Sequence, residues 1–237
     1  MRRIIAVLAL MAATLAQPAL GEVISSRTWT DESGTTWTEI VEEVVEEPGG
    51  ERFVAGGPAA KVAGIATFGP FRVLDTGRAA LVAETDSLSP GDFQAMLRAY
   101  PQITTLEMID CPGTVDDTAN LKLGRMIRAA GIATAVPDGG SVRSGAVELF
   151  LAGSRRSAAP SAEFAVHSWL DTAGREAGDF AASDPVNRTY LAYYREMGLT
   201  ADNAASFYAL TNSVPNDTAL WLHTADIARY ASISAGS

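Results

Sequence analysis

Cysteine is nearly missing from this chain. Cys111 is the one cysteine among 237 residues, so no intrachain disulfide is possible. Histidine is almost as scarce, with His167 and His223 alone. No grouping of His, Cys, Asp and Glu has metal-ligand spacing, so no metal is expected. No glycine-rich phosphate loop is present, and the sequence implies no cofactor. Positive charge is also in deficit: 18 Lys+Arg stand against 28 Asp+Glu, a formal net charge of −10. Nucleic acid and anionic membrane surfaces repel such a chain. No low-complexity tract is long enough to suggest extensive disorder.

What is present suits a folded domain. Hydrophobic residues make up 47% of the chain, and the length fits one domain or one domain with a small appendage. The first residues have another use. Met1-Arg2-Arg3 is a basic start, Ile4 to Ala16 is apolar, and Ala19-Leu20-Gly21 supplies small residues for a peptidase. This pattern is a secretory signal, cleaved before Glu22, and it predicts export to the periplasm or the extracellular space. An uncleaved anchor helix is the alternative, but the apolar run falls short of the ~20 residues of a membrane span. No cysteine follows the run closely, which argues against a lipid anchor. Removing residues 1–21 takes away two arginines and no acids, so the remainder is more acidic still.

Residues 22–64 read as an N-terminal extension. "RTWTDESGTTWTEIVEEVVEE" alternates polar residues with Trp and Val around a Ser-Gly turn, as a hairpin does. "EEPGGERFVAGGPAA" is loop-like in its Gly and Pro content. From residue 65 to 237 the rhythm is strand, helix, strand. "AALVAE" fits a buried strand. Ser89-Pro90-Gly91-Asp92 opens a helix, with Ser89 as N-cap and Pro90 at the first position. Phe93, Met96, Leu97 and Tyr100 fall on one face of it. "TTLEMID" is the next strand. Val115, Ala119, Leu123, Met126, Ile127 and Ala130 form a second helical stripe, stopped by Gly131. "IATAVPDGG" is a strand, "SGAVELFLAG" a short helix apolar nearly all round, and "AEFAVHSW" another strand. Helices over Asn187–Met197 and Thr200–Thr211 follow, and "WLHTADIARYAS" predicts a last short helix. The alternation predicts an α/β fold with a mainly parallel sheet.

Ser144 stands just before a helix that looks buried. A serine hydroxyl needs a base to become a nucleophile. The oxyanion it creates needs donors, and a helix start offers free N–H groups, here that of Gly145. On position alone, an ordinary N-cap serine is the simpler account. The base must come from two histidines. His167 lies at the end of a predicted strand, sharing a face with Ala165 and Trp169. His223 sits at a polar helix start and reads as a surface residue. Cys111, before a proline and far in sequence from any histidine, reads as a loop or core residue.

Three segments together resemble the Clp-type serine proteases, whose fold is shared with the crotonases. "LEMIDCPGTV" is similar to the family's strand and Pro-Gly-Gly loop. "SGAVELFLAG" is similar to its nucleophile and helix, and "SAAPSAEFAVHSW" to the strands that end in its histidine. Order and approximate spacing hold from about Ala79 to Tyr230, and the likeness is greatest to exported Clp-like proteins of bacteria. The resemblance implies a mainly parallel Clp/crotonase-like fold and a serine hydrolase acting on peptides or unfolded segments. It implies Ser144 as nucleophile and His167 as base. Asp217 is the acid near the expected place, with Asp171 and Asp226 as alternatives. The oxyanion hole would use Gly145 with Gly113 and Thr114. Members of the fold often assemble into homo-oligomers, for which the helix bearing Tyr190, Tyr193 and Tyr194 is a possible face, although a core stripe explains these tyrosines equally. No ATPase signature is present, so no ATP-driven partner is implied.

Several residues depart from the family's pattern. Thr114 replaces a glycine, and a β-branched residue is strained if the position needs φ > 0. Thr114 and Asp117 alternatively make a variant capping box. Arg143 precedes the serine where small residues are usual. Glu148 lies inside the buried helix, where pairing with Arg143 or another arginine is expected. These departures keep open a second reading, a binding or assembly protein on the same fold with a degenerate site.

Overall fold

A computed structural model describes residues 62–236 throughout and, before them, residues 6–8, 23–30, 36–42 and 52–54. The expected leader and its cleavage point lie almost wholly outside these residues. The chain divides into two compact units, Met1–Glu47 and Pro48–Ser237.

The first unit holds β1 (Ala6–Leu8), β2 (Val23–Thr30) and β3 (Thr36–Glu42), in the antiparallel order β1-β3-β2. β2 and β3 form the expected hairpin, with Trp29 opposite Trp37 and Thr28 opposite Thr38. Val, Thr and Trp favour strands because branched and aromatic side chains pack well on a pleated surface.

The second unit begins with β4 (Arg52–Phe53), β5 (Ala66–Phe68), β6 (Phe71–Val73), β7 (Arg78–Leu81) and α1 (Ser89–Ala99). Then come β8 (Thr105–Met108), β9 (Asp110–Cys111), β10 (Gly113–Thr114) and α2 (Asp117–Ala129). β11 (Ala133–Val136), β12 (Ser141–Arg143) and α3 (Gly145–Ala152) follow, then β13 (Arg156–Ala158) and β14 (Glu163–Val166). The chain closes with α4 (Pro185–Glu196), α5 (Ala201–Thr211), β15 (Leu220–His223), α6 (Thr224–Ile227) and β16 (Ser234–Ala235).

Two sheets organise this unit. One has seven strands in the order β16-β13-β11-β8-β7-β6-β5, and the other four in the order β15-β14-β12-β9. From β16 to β7 the first sheet is parallel, and β9, β12 and β14 are parallel in the second. The chain crosses from the first sheet to the second three times, from β8 to β9, β11 to β12 and β13 to β14. Because β9, β12 and β14 are parallel neighbours, each crossing brings a strand's C-terminal end to the same end of the second sheet. That repetition positions the site.

α3 leaves β12 and is buried along its whole length, as its all-round apolar sequence predicts. Phe150 tilts against Phe164, and Tyr193 and Tyr194 of α4 lie over the helix with no solvent exposure. Gly124 of α2 makes room for this packing: a Cβ there would stand 1.9 Å from the Tyr193 hydroxyl. Tyr190, Tyr193 and Tyr194 are therefore core residues, and α4 does not offer them as a contact face.

Local corrections concern capping and the tail. Ser89 is the first residue of α1, and Asp86 does the capping: its Oδ1 accepts from the N–H groups of Leu88 and Ser89, both at 3.0 Å. For α2 the cap is Asp116, which accepts from the Ala119 N–H at 2.9 Å, so the Thr114–Asp117 box does not form. Val115 lies outside the α2 stripe and is 41% exposed. The predicted tail helix is split: Leu220–His223 is a strand antiparallel to β14, and only Thr224–Ile227 is helical.

Candidate active site

β12 and β14 are parallel neighbours, with Arg143 opposite Ala165. The residues that follow each strand therefore emerge side by side. Ser144 follows β12 and donates its backbone N–H to the Ala165 carbonyl at 2.6 Å. His167 follows Val166 at the end of β14. The Ser144 hydroxyl lies 2.5 Å from His167 Nε2, between residues 23 apart in sequence. Both residues are completely buried.

Ser144 occupies the N-cap position of α3 but makes no side-chain cap bond. Its hydroxyl is turned to the imidazole instead, so the ordinary capping account does not hold. Its backbone has φ 51° and ψ −126°, and it is the one non-glycine with positive φ among the described residues. Such a conformation costs about 1–3 kcal/mol, which the surrounding packing must supply. It re-aims the hydroxyl away from the helix end and toward β14.

The other imidazole nitrogen fixes the tautomer. His167 Nδ1 lies 2.8 Å from the Ser168 carbonyl, which can only accept. The proton therefore sits on Nδ1, and Nε2 presents a lone pair to the Ser144 hydroxyl. The Asn216 amide nitrogen donates to the same Ser168 carbonyl at 2.9 Å and stands 3.2 Å from Nδ1. Glu176 anchors this loop by accepting from the Asn216 N–H at 2.9 Å.

Asp217 does not take the place expected of it. It is exposed, and its carboxylate accepts from the Thr218 hydroxyl at 3.1 Å. The side chain beside Nδ1 belongs to the preceding residue, Asn216. Neither alternative stands there: Asp171 pairs with Arg175 and Asp226 with Arg229. An amide, not a carboxylate, stands there. The visible signal for Asn216 was its place after Pro215, in a turn that must meet the end of β14.

The three residues expected to form the oxyanion hole do converge, in part. Gly145 is the first residue of α3, so its N–H lies outside the helix ladder and at the positive end of the dipole. A Cβ at Gly145 would meet the Thr114 methyl at 2.6 Å, so Thr114 packs directly over this backbone. Thr114 is not strained. The positive φ of the loop falls on Gly113, at 128°, and Thr114 is an ordinary strand residue. Its hydroxyl serves the loop, 3.0 Å from both the Thr85 and the Asp116 carbonyls. Asn120, buried on α2, donates to the Gly145 carbonyl at 2.6 Å and accepts from the Thr85 hydroxyl at 3.0 Å. Sequence reasoning missed Asn120, whose mid-helix position carried no signal.

The two charged departures are also resolved. Arg143 does not pair with Glu148. Its Nη2 bonds Asp110 at 2.7 Å, its Nη1 bonds Ser141 at 2.7 Å, and its Nε donates to the Val54 carbonyl at 2.9 Å. Glu148 accepts from the Tyr194 hydroxyl at 2.5 Å, and the Tyr193 hydroxyl donates to the Glu148 carbonyl at 2.8 Å. Burial, with the Glu148 charge adding to it, pushes the Tyr193 phenol well above its usual range and keeps it a donor. Cys111 is wholly buried, and desolvation raises its thiol far above the ordinary value, with Asp110 adding to the effect. Its Sγ lies 3.3 Å from the Leu81 carbonyl. His223 is exposed at the start of α6, as expected. Among the described residues, no group of three His, Cys, Asp or Glu converges.

No protein-family profile matches the chain. No curated protein matches it in sequence. Several solved structures are similar in shape. The membrane protease 1510-N, specific for a stomatin homolog, from Pyrococcus horikoshii aligns with 66% of this chain and 70% of its own, at 15% identity and TM-score 0.43. A ClpP1 variant from Listeria monocytogenes aligns over 68% and 92%, at 16% identity and TM-score 0.47. A putative enoyl-CoA hydratase from Streptomyces coelicolor A3(2) aligns over 76% and 72%, at 12% identity and TM-score 0.44.

Proposed function

We propose that the chain is an exported serine hydrolase of the Clp/crotonase-like superfamily, a peptidase for short peptides or unfolded segments that works without an ATP-driven partner. One observation carries this reading: a serine with its backbone held at positive φ turns its hydroxyl onto an imidazole whose other nitrogen is already protonated. An idle N-cap would not need that strain. The order of the three sequence segments supports the superfamily. The apolar leader sequence supports export, with residues 1–21 as signal, 22–64 as extension and 65–237 as the catalytic domain.

In this reading His167 Nε2 takes the Ser144 proton as Oγ attacks a peptide carbonyl. The Ser168 carbonyl accepts from Nδ1 and holds the ring while it carries the added proton, and the Asn216 amide holds that carbonyl. The oxyanion forms at the mouth of α3 against the Gly145 N–H, with the Gly113–Thr114 backbone beside it. The imidazolium then protonates the leaving amine, and an acyl group remains on Ser144. Water, activated by the same imidazole, releases it.

A fluorophosphonate probe tests the reading. It should label the purified protein, and Ser144→Ala should abolish the label. Absence of any label, or a label that survives Ser144→Ala, rejects it. The alternative, a binding protein with a degenerate site, draws on the complete burial of Ser144 and His167. It expects partners from the exported fraction to be retained by Ser144→Ala without any labelling of the parent protein.

A further inference from the structure

The loop that carries Gly113 and Thr114 has two backbone edges. One faces Thr85. The Gly113 carbonyl accepts from the Thr85 N–H at 3.0 Å, and the Thr85 carbonyl accepts from the Val115 N–H at 3.0 Å. The other edge belongs to Pro112 and Thr114. In an extended chain it would be the free edge beside Ser144, open to an added strand.

The chain fills that edge itself. β4 pairs antiparallel with β10, with Phe53 opposite Gly113 and Arg52 opposite Thr114. The Val54 N–H donates to the Pro112 carbonyl at 2.8 Å. Bonded pairs alternate along an antiparallel ladder, so the next bonded pair is Thr114 with Arg52. The Thr114 N–H therefore points at the Arg52 carbonyl. This is the donor that the sequence reading assigned to the oxyanion. The neighbourhood is close: the Thr114 methyl rests against Gly145, the residue after Ser144.

A second contact comes from the residue before the serine. Arg143 donates from Nε to the Val54 carbonyl at 2.9 Å, and Asp110 holds its guanidinium from the other side at 2.7 Å. Arg143 is 3% exposed. This accounts for an arginine where the resemblance leads one to expect a small residue. The nucleophile and base beside it have no solvent exposure.

We propose that residues 52–54 are a built-in strap: a strand of the chain's own, docked on the edge a peptide substrate needs, with the Arg52 carbonyl where a substrate carbonyl would sit and Arg143 as its latch. The docked strap then slows entry to the site without abolishing it. This rests on the serine hydrolase reading above. Because the strap is joined to its site, it competes at high effective concentration with any free peptide.

The test uses the full chain and Val54→Pro, which deletes the N–H bonded to Pro112 and leaves the catalytic residues untouched. Two quantities are read: the rate of fluorophosphonate labelling, and hydrogen exchange at the Thr114 amide. The strap predicts a protected Thr114 amide in the parent protein, faster exchange in Val54→Pro, and labelling roughly three- to tenfold faster in the variant, the scale of one lost hydrogen bond. A synthetic peptide spanning residues 48–58, added in excess, should slow the variant again. Equal labelling rates in the two proteins, or free exchange of Thr114 in the parent, overturns the strap. Should neither protein label while Thr114 protection still depends on Val54, the docked strand stands and the hydrolase reading falls. Arg143→Met is a second variant, expected to act in the same direction.

Discussion

The Ser144 hydroxyl meets His167 Nε2 at 2.5 Å only because the Ser144 backbone is bent to φ 51°. Geometry and strain are one feature. A comparison of two inactive variants separates them. Ser144→Ala and Ser144→Gly both lose the hydroxyl, but glycine accepts positive φ and alanine does not. Ser144→Gly should be the more stable by about 1 kcal/mol in urea unfolding. Equal stability would mean that the backbone at Ser144 is not strained.

The loop behind His167 sets the next expectation. The Ser168 carbonyl orients the ring through Nδ1, and Asn216 donates to that carbonyl. Asn216→Ala should slow probe labelling about tenfold, because the carbonyl still fixes the tautomer but loses the amide that holds it in place. Asp217→Ala should leave the rate within about twofold, its carboxylate being bonded to Thr218 and open to solvent. A large loss in Asp217→Ala alone would reverse the assignment.

Gly145 and Thr114 should behave as a coupled pair. A Cβ at Gly145 would stand 2.6 Å from the Thr114 methyl and 3.3 Å from the Asn120 amide nitrogen. Gly145→Ala should cost about 1–3 kcal/mol of stability and most of the labelling. Thr114→Ser removes the methyl and keeps the hydroxyl that serves the Thr85 and Asp116 carbonyls. In the double variant it should restore a measurable part of the lost stability, read as a non-additive double-mutant cycle.

Glu148 lies inside α3, 1% exposed, and Tyr194 donates to it. Tyr194→Phe removes that donor without changing the ring. It should destabilise the protein by about 1–3 kcal/mol in chemical denaturation, the range for a buried group deprived of a hydrogen bond. The labelling rate of the folded fraction should change little, which distinguishes support of α3 from a part in the chemistry.

Cys111 should be silent in the native protein. Burial raises its thiol pKa, so the thiolate is scarcer than for a free cysteine at every pH up to the alkaline range. Alkylation by iodoacetamide should stay slow from pH 7 to about pH 9 and become fast only in denaturant. Rapid native alkylation over that range would show that the β9 end opens readily.

Much of the fold was legible because it depends on local spacing. Phe93 and Met96 repeat along one face of α1, and Leu123 and Ile127 along one face of α2. The unbroken apolar run of α3 announces a helix with no solvent face. Trp221–His223, the head of the predicted tail helix, belongs to a strand because so few residues beside a capped turn carry too little period to separate strand from helix. The strands β5, β6 and β12, of three residues each, left no comparable signal.

By itself the sequence determined that Ser144 heads a buried helix and that His167 closes a strand. Both follow from neighbours a few positions away, whose side-chain period reports the local backbone. Only the tertiary structure decided that Asn216 rather than Asp217 stands at the imidazole, that Arg143 holds Asp110 and Val54 rather than Glu148, and that positive φ falls on Gly113 and Ser144 rather than Thr114. Each of these turns on how segments distant in sequence are set against one another. A shift of one residue in that setting moves a side chain to the opposite face, and nothing local records it.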